Sequence, residues 1–336
     1  MSRSEDLIEE LKQSSFLPLW TIFKNLESSE PTVQFEPYLW HGNQAAAYLN
    51  SISKESVPGA DVERRVLALR HPKFTGPGLT PTLSMSFQLV KPGELAPAHR
   101  HSACAVRFMV KGRAHTVING VRVEFEENDF VVTRGGSWHD HGNESEDYAL
   151  WLDGLDAPFV RGLMAWFFER YNLVSQEVYR KETMSGIQTK LEAPANEFPL
   201  IYRWRDVFPR LMSLKERTEG NPFDGVVFNY GEHHPNGSIT PTLNCGLALL
   251  QPGKRTQTHR HTGCVAYYVV QGRGLSVVDG VNFQWCKGDV LLVPPWSWHD
   301  HKTLGNEDAI FFTFSDSAIV RNLGLYREEA LESNGG

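Results

Sequence analysis

Residues 99–108 read HRHSACAVRF, which sets His99 and His101 one residue apart and places Arg107 six residues beyond them. Residues i and i+2 of a β-strand point to the same face, so both imidazoles can enter one interior. His139 and His141 repeat the spacing later in the chain. Three imidazoles converging from two strands make a metal site with open positions; the competing reading is a polar core of stacked histidines without metal. Arg107 lies two positions past Ala105 and so on the face of the histidines, where a guanidinium can pair with the carboxylate of a bound acid. The competing role for Arg107 is a salt bridge at the rim. His141 follows His139 by two and can exchange a proton with an oxygen of the ligand, or act only from behind the site.

The pattern occurs twice. Of 13 histidines, eight fall into two sets at the same spacing, His99, His101, His139, His141 and His259, His261, His299, His301. The others (His41, His71, His115, His233 and His234) have no such partners and read as packing or surface residues. LTPTL at 79 returns as ITPTL at 239, the Pro-Gly at 92 returns at 252, and SWHDH at 137 returns at 297, so the offset is 160 throughout. Such self-similarity marks an internal repeat. Within each half, VRFMVKGRAHTVING and AYYVVQGRGLSVVDG are strand pairs ending in Asn-Gly and Asp-Gly hairpin turns. The expected fold is an all-β core of two tandem jelly-roll barrels with flanking helices. The expected limits are a mixed, helical extension over 1–58, a catalytic barrel over 59–159, helix and linker over 160–218, a second barrel over 219–316, and a helix and tail over 317–336. Within these, 160–172 and 317–330 read as helices and 173–200 as a polar linker or subunit-contact arm. Ser2 and Glu5 could cap a first helix whose apolar face is Leu7, Ile8 and Leu11.

Composition bounds the partners. The chain has 336 residues, 41% of them hydrophobic, and a net charge of −7, which gives no electrostatic reason to expect nucleic acid or an anionic membrane. No apolar run reaches the roughly 18 residues that span a bilayer, and MSRSEDLIEELK lacks the apolar core of a signal peptide. A cytoplasmic protein acting on small molecules is expected. Four cysteines (Cys104, Cys245, Cys264, Cys286) without a CxxC pair read as free thiols.

On these residues the chain resembles the cupin superfamily. Gly93, five residues, then His99 and His101 match its first motif, and Gly136, His139 and Asn143 match part of its second. The usual glutamate ligand falls at Ala105, and at Val265 in the second half, leaving three-histidine sites. Asn128, Arg134, Trp296 and Thr303 replace the usual Gly, Pro, Gly and Asn in turns. More narrowly, ERRVL at 63–67, QLVKPGELAPAHRH at 88–101, WHDHGN at 138–143 and WLDGLDAP at 151–158 resemble the gentisate and salicylate 1,2-dioxygenase family of bicupins. The resemblance implies Fe(II), O2, a small aromatic acid, ring cleavage between the carboxyl- and hydroxyl-bearing carbons, and a homotetramer. It places iron on His99, His101 and His139 and substrate beside Arg107, Gln88, His141 and Asp153. Arg64 and Arg65 are further candidates, as substrate contacts or as partners of Asp153.

The chemistry of the donor set agrees. Three neutral histidines leave Fe(II) its full double charge and about three open positions, enough for a bidentate 2-hydroxybenzoate and O2. Moving the pocket by 160 gives Ala248 for Gln88, Tyr267 for Arg107 and Thr313 for Asp153. Catalysis is therefore expected in the first barrel alone, with a structural second barrel in which His259, His261 and His299 could hold another metal. SMSFQ at 84–88 reshapes the pocket relative to the aromatic-small-Gly pattern of gentisate dioxygenases. The substrate is then gentisate, a chloro- or nitro-substituted salicylate, or 1-hydroxy-2-naphthoate. The reading of a different class is a non-catalytic cupin that binds a small aromatic acid.

Overall fold

In the computed structural model, which describes residues 3–32, 35–54, 65–76, 78–182 and 200–331, the two hairpin turns have the conformation their sequences demand. Asn119 and Gly120 sit at φ 47° and 76°, and Asp279 and Gly280 at 46° and 78°, the paired positive φ of a type I′ turn. Each turn also positions a histidine strand. The Asn119 carboxamide oxygen accepts a hydrogen bond from the Trp138 N–H at 2.9 Å, and the Asp279 carboxylate does the same for Trp298 at 2.8 Å. His139 and His299 are the next residues. Asn128 and Trp296, which stand where glycine is usual, keep a left-handed backbone at φ 68° and 61°, so the loop shape survives without glycine.

Each repeat folds as two sheets facing one another. In the first, Ile201–Tyr202, Phe130–Thr133, Ala105–Lys111, Ala149–Leu155, Ser84–Val90 and Arg65–Ala68 pair in that order. The facing sheet runs Phe168–Arg170, Leu95–His101, His139–Gly142, Arg113–Ile118, Val121–Glu126 and Arg180–Glu182. Between them Met109, Val131 and Trp151 meet Ile118, Val123 and Phe125. The second repeat is built alike, with a five-stranded sheet on its histidine side. Strand alternation then does the rest. Odd residues of Ser84–Val90 (Met85, Phe87, Leu89) leave the first sandwich and join Phe312, Phe314 and Tyr268 of the second in one buried cluster. Phe108 stacks on Phe312 with centroids 4.5 Å apart. The repeats are thus fused back to back, and each interior is independent.

The repeats also exchange parts. Tyr38–Trp40, expected in the N-terminal extension, pairs with Val290–Leu292 in the second repeat's sheet, and Ile201–Tyr202, expected in the linker, pairs with Phe130 and Val131 in the first. The LTPTL and ITPTL motifs form the same crossover. The Asp156 carboxylate accepts from the Cys104 N–H at 2.8 Å and from the Thr242 hydroxyl, while Asp316 accepts from Cys264 N–H at 2.8 Å and from the Thr82 hydroxyl. The expected limits at residues 59 and 160 therefore separate strands that share a sheet.

The segments read as helices after each barrel differ from expectation. Ala157–Gly162 and Ser317–Asn322 are helices of six residues, after which Phe168–Arg170 and Glu328–Ala330 become edge strands of the histidine sheets. Tertiary pairing with an open strand edge outweighs helix propensity here. Residues 3–32 form a separate unit containing the Arg3–Gln13 helix, in which Leu7 is exposed; the expected cap residue Ser2 lies outside the described residues. All four cysteines are free thiols.

Candidate metal centre

His99 and His139 stand directly opposite one another on antiparallel strands. Between Ala96 and His99 the ladder slips, so that three steps on one strand match two on the other, a bulge placed where Pro97 could not have donated to the ladder. The bulge turns the Pro97 carbonyl toward His99 Nδ1 at 3.0 Å. His101 Nδ1 donates to the Ala103 carbonyl at 2.9 Å and His139 Nδ1 to the Ser137 carbonyl at 2.9 Å. A carbonyl only accepts, so each ring carries its proton on Nδ1 and turns the Nε2 lone pair inward. The ring centroids form a triangle of 4.1, 4.9 and 5.6 Å, and one ligand atom from each histidine falls within 4.8 Å of the others. His139 Nε2 is buried without a hydrogen-bond partner. Burial, the Arg107 charge and the other two histidines hold the His139 ring well below the ordinary histidine pKa, which keeps its lone pair available. The donor set and its orphaned nitrogen fit a divalent transition ion.

The facing sheet supplies an anion site. Ser86, Asp153, Arg107 and Val131 lie in one row across four strands, with Gln88 beside Trp151 in the next. Arg107 is 3% exposed; its Nε lies 3.0 Å from Asp153 Oδ1 and its Nη1 donates to Thr133 Oγ1 at 2.7 Å. Burial lowers the Arg107 pKa and Asp153 opposes the fall, so the guanidinium stays charged. Asp153 also accepts from Trp151 Nε1 at 3.1 Å. Its two oxygens thus meet Arg107 and Trp151, and Asp153 sets the guanidinium. Gln88 is buried, and its amide Nε2 has no hydrogen-bond partner, an orphan donor in the same interior. His141 is buried, 5.5 Å from the His139 ring and 5.7 Å from Trp151.

One expected contact falls elsewhere. Arg65 pairs opposite Leu89, on the face turned away from Gln88, and binds Glu94 at 2.6 Å, while Asp153 is paired with Arg107. Arg64 lies outside the described residues. Three residues enter unannounced. Phe168 stacks on His99 at 5.0 Å and Trp166 on His101 at 5.9 Å. Thr133, which steadies Arg107, had a signal in the repeat itself, because position 293 is valine.

This chain matches the cupin domain family twice, over residues 86–154 and 246–315. It is 35% identical to a 5-aminosalicylate 1,2-dioxygenase of Comamonas sp, over 98% of this chain and 91% of that one. The chain belongs to the gentisate and salicylate 1,2-dioxygenase family of bicupins. This bicupin is also 31% identical to gentisate 1,2-dioxygenase 1 of Aquipseudomonas alcaligenes, over 96% of this chain and 95% of that one. Its fold matches the crystal structure of a salicylate 1,2-dioxygenase from Pseudoaminobacter salicylatoxidans in an adduct with gentisate, at TM-score 0.88 and 26% identity, covering 99% and 95% of the two chains. As a member of this family the protein is a ring-cleaving dioxygenase.

Proposed function

We propose that this dioxygenase opens the ring of a 2-hydroxybenzoate with a polar group at position 5, gentisate and 5-aminosalicylate being the first members to try, and uses Fe(II) held by His99, His101 and His139. The observation that carries the reading is the buried Arg107 guanidinium with the orphan Gln88 amide in the interior that contains the triad. Iron(II) bound there would supply electrons to dioxygen, chemistry that no side chain of the protein can perform alone. Arg107 binds the ring carboxylate by a charge-assisted hydrogen bond, and Gln88 donates to a second oxygen of the acid. His141, on the same strand face as His139, takes or returns the proton of the substrate hydroxyl. Trp151, Met109 and Val131 close the floor against water. The relatives' names, 5-aminosalicylate and gentisate 1,2-dioxygenase, support the choice of ring substituent.

The test is oxygen uptake by Fe(II)-loaded protein across gentisate, 5-aminosalicylate, salicylate, 5-chloro- and 5-nitrosalicylate and 1-hydroxy-2-naphthoate. One O2 consumed per ring lost, with removal of iron by a chelator abolishing uptake, is the expected result. Binding of these acids without any uptake would make the protein a non-catalytic cupin and overturn the proposal.

A further inference from the structure

The second barrel repeats the triad almost unchanged. The rings of His259, His261 and His299 form a triangle of 4.1, 5.1 and 5.6 Å, and one ligand atom of each falls within 4.8 Å of the others. His299 is completely buried, its Nδ1 donates to the Ser297 carbonyl at 2.8 Å, and its Nε2 has no hydrogen-bond partner. A buried imidazole lone pair aimed at two others without a partner is costly unless something fills the space.

The surroundings are changed in sign. In the first barrel the charge facing His139 is the Arg107 cation, which calls for an anionic ligand to complete the site. In the second, Tyr267 occupies that place, and the carboxylates of Asp224 and Glu328 act on His259 instead. Carboxylates balance a dication without any help from an acid substrate. Ala248, Val293 and Thr313 replace Gln88, Thr133 and Asp153, so the anion-binding groups have gone as a set. The Tyr267 ring takes the place of the Arg107 guanidinium and packs on a Trp285–Phe311 pair that repeats Phe125 and Trp151 of the first barrel. Tyr267 lies 4.6 Å from His301 and 5.5 Å from Phe311, and Trp285 lies 4.7 Å from Phe311. His301, counterpart of His141, has its Nδ1 2.7 Å from Ser276 Oγ, which also accepts from Trp285 Nε1 at 2.8 Å. Phe223 covers His259 at 4.6 Å.

We propose that His259, His261 and His299 bind a second divalent transition ion in a site closed to aromatic acids, where the ion ties the histidine strands of the C-terminal barrel together and takes no part in ring opening. Three imidazoles with water or a small anion in the remaining position describe such a site. The proposal is independent of the substrate assigned to the first barrel.

Cobalt(II) is a suitable probe, because its visible bands report coordination and any ligand that enters. The full-length wild type should take up two equivalents. His99→Ala, which disables the first triad, should retain one equivalent whose bands do not move when saturating salicylate is added. His299→Ala should retain the other equivalent, with bands that do move. Should His99→Ala fold poorly, judged by circular dichroism, His101→Gln serves the same purpose. Uptake of a single equivalent by the wild type, or no cobalt on either folded first-triad variant, overturns the second site. A salicylate-induced shift in the first-triad variants overturns its closure. Unmoved bands in His299→Ala would instead count against the substrate reading of the first barrel and leave the second site standing.

Discussion

Replacing Arg107 tests substrate anchoring, but the structure shows that a simple truncation changes two things together. Arg107 and Asp153 form an ion pair with side chains only 4% and 8% exposed. Removing one partner leaves the other charge buried and costs roughly 3–5 kcal/mol of stability. Loss of a charge-assisted hydrogen bond to a substrate carboxylate costs about 1.5–3 kcal/mol, or roughly ten- to a hundredfold in kcat/KM. Arg107→Ala should therefore lose both stability and catalytic efficiency, without telling which loss causes the other. The pair exchange Arg107→Met with Asp153→Leu separates them. Two apolar side chains fill the same space, so stability in urea should return to within about 1–2 kcal/mol of wild type, the residue being the Trp151 N–H that has lost its acceptor. Efficiency in the oxygen-uptake assay should stay at least about tenfold low, with metal content unchanged. If the double variant regains wild-type efficiency along with its stability, Arg107 is a structural arginine and the anchoring argument is wrong.

Phe168→Ala removes the ring stacked on His99, worth about 0.5–1.5 kcal/mol, and should weaken metal binding in a competition titration by about two- to tenfold; undiminished affinity would deny the stacked ring any role. Asp156→Ala orphans the Cys104 N–H and the Thr242 hydroxyl and should lower unfolding free energy by roughly 2–4 kcal/mol, with Asp316→Ala matching it, whereas an unmoved urea midpoint for either would refute the crossover's contribution. His234 is pushed to about 4 by burial and by Arg134 and His233, so the folded protein resists a proton that the unfolded chain accepts near pH 6.5. Its contribution is intact above that value and is lost as pH falls from about 6.5 to about 4. The melting temperature of His234→Gln should accordingly decline less than that of wild type between pH 7 and pH 5, and parallel declines would remove His234 from the account.

Strand alternation and an exact repeat made the site legible. His99, His101 and His139 converge because i and i+2 share a face, Arg107 is marked by the same face, Gln88 by the family resemblance, and their loss at 248 and 267 singles out the first barrel. The same comparison marks Thr133, whose counterpart at 293 is valine. Sequence adjacency to a pocket strand leaves the facing of Arg65 open, because one residue of register exchanges the faces, and in the fold it pairs with Glu94. Phe168 was hidden because AWFFERY is apolar without a clear period, and only the open edge beside His99–His101 makes it a strand. Tyr38–Trp40 and Ile201–Tyr202 could not be assigned to their sheets, since pairing with the distant repeat is a tertiary choice.

That exchange of leading strands bears on how such a chain can change over evolutionary time. The first barrel closes its sheet with a strand that belongs to the second repeat, and the reverse holds, so neither half can be deleted or recombined as a module. Substitution inside the second sandwich is released from any duty to the substrate, as Tyr267 and Ala248 already display, while its outer wall at Tyr268, Phe312 and Phe314 remains bound to the partner surface. Divergence after duplication should therefore run inward from the loops and leave the shared wall nearly still.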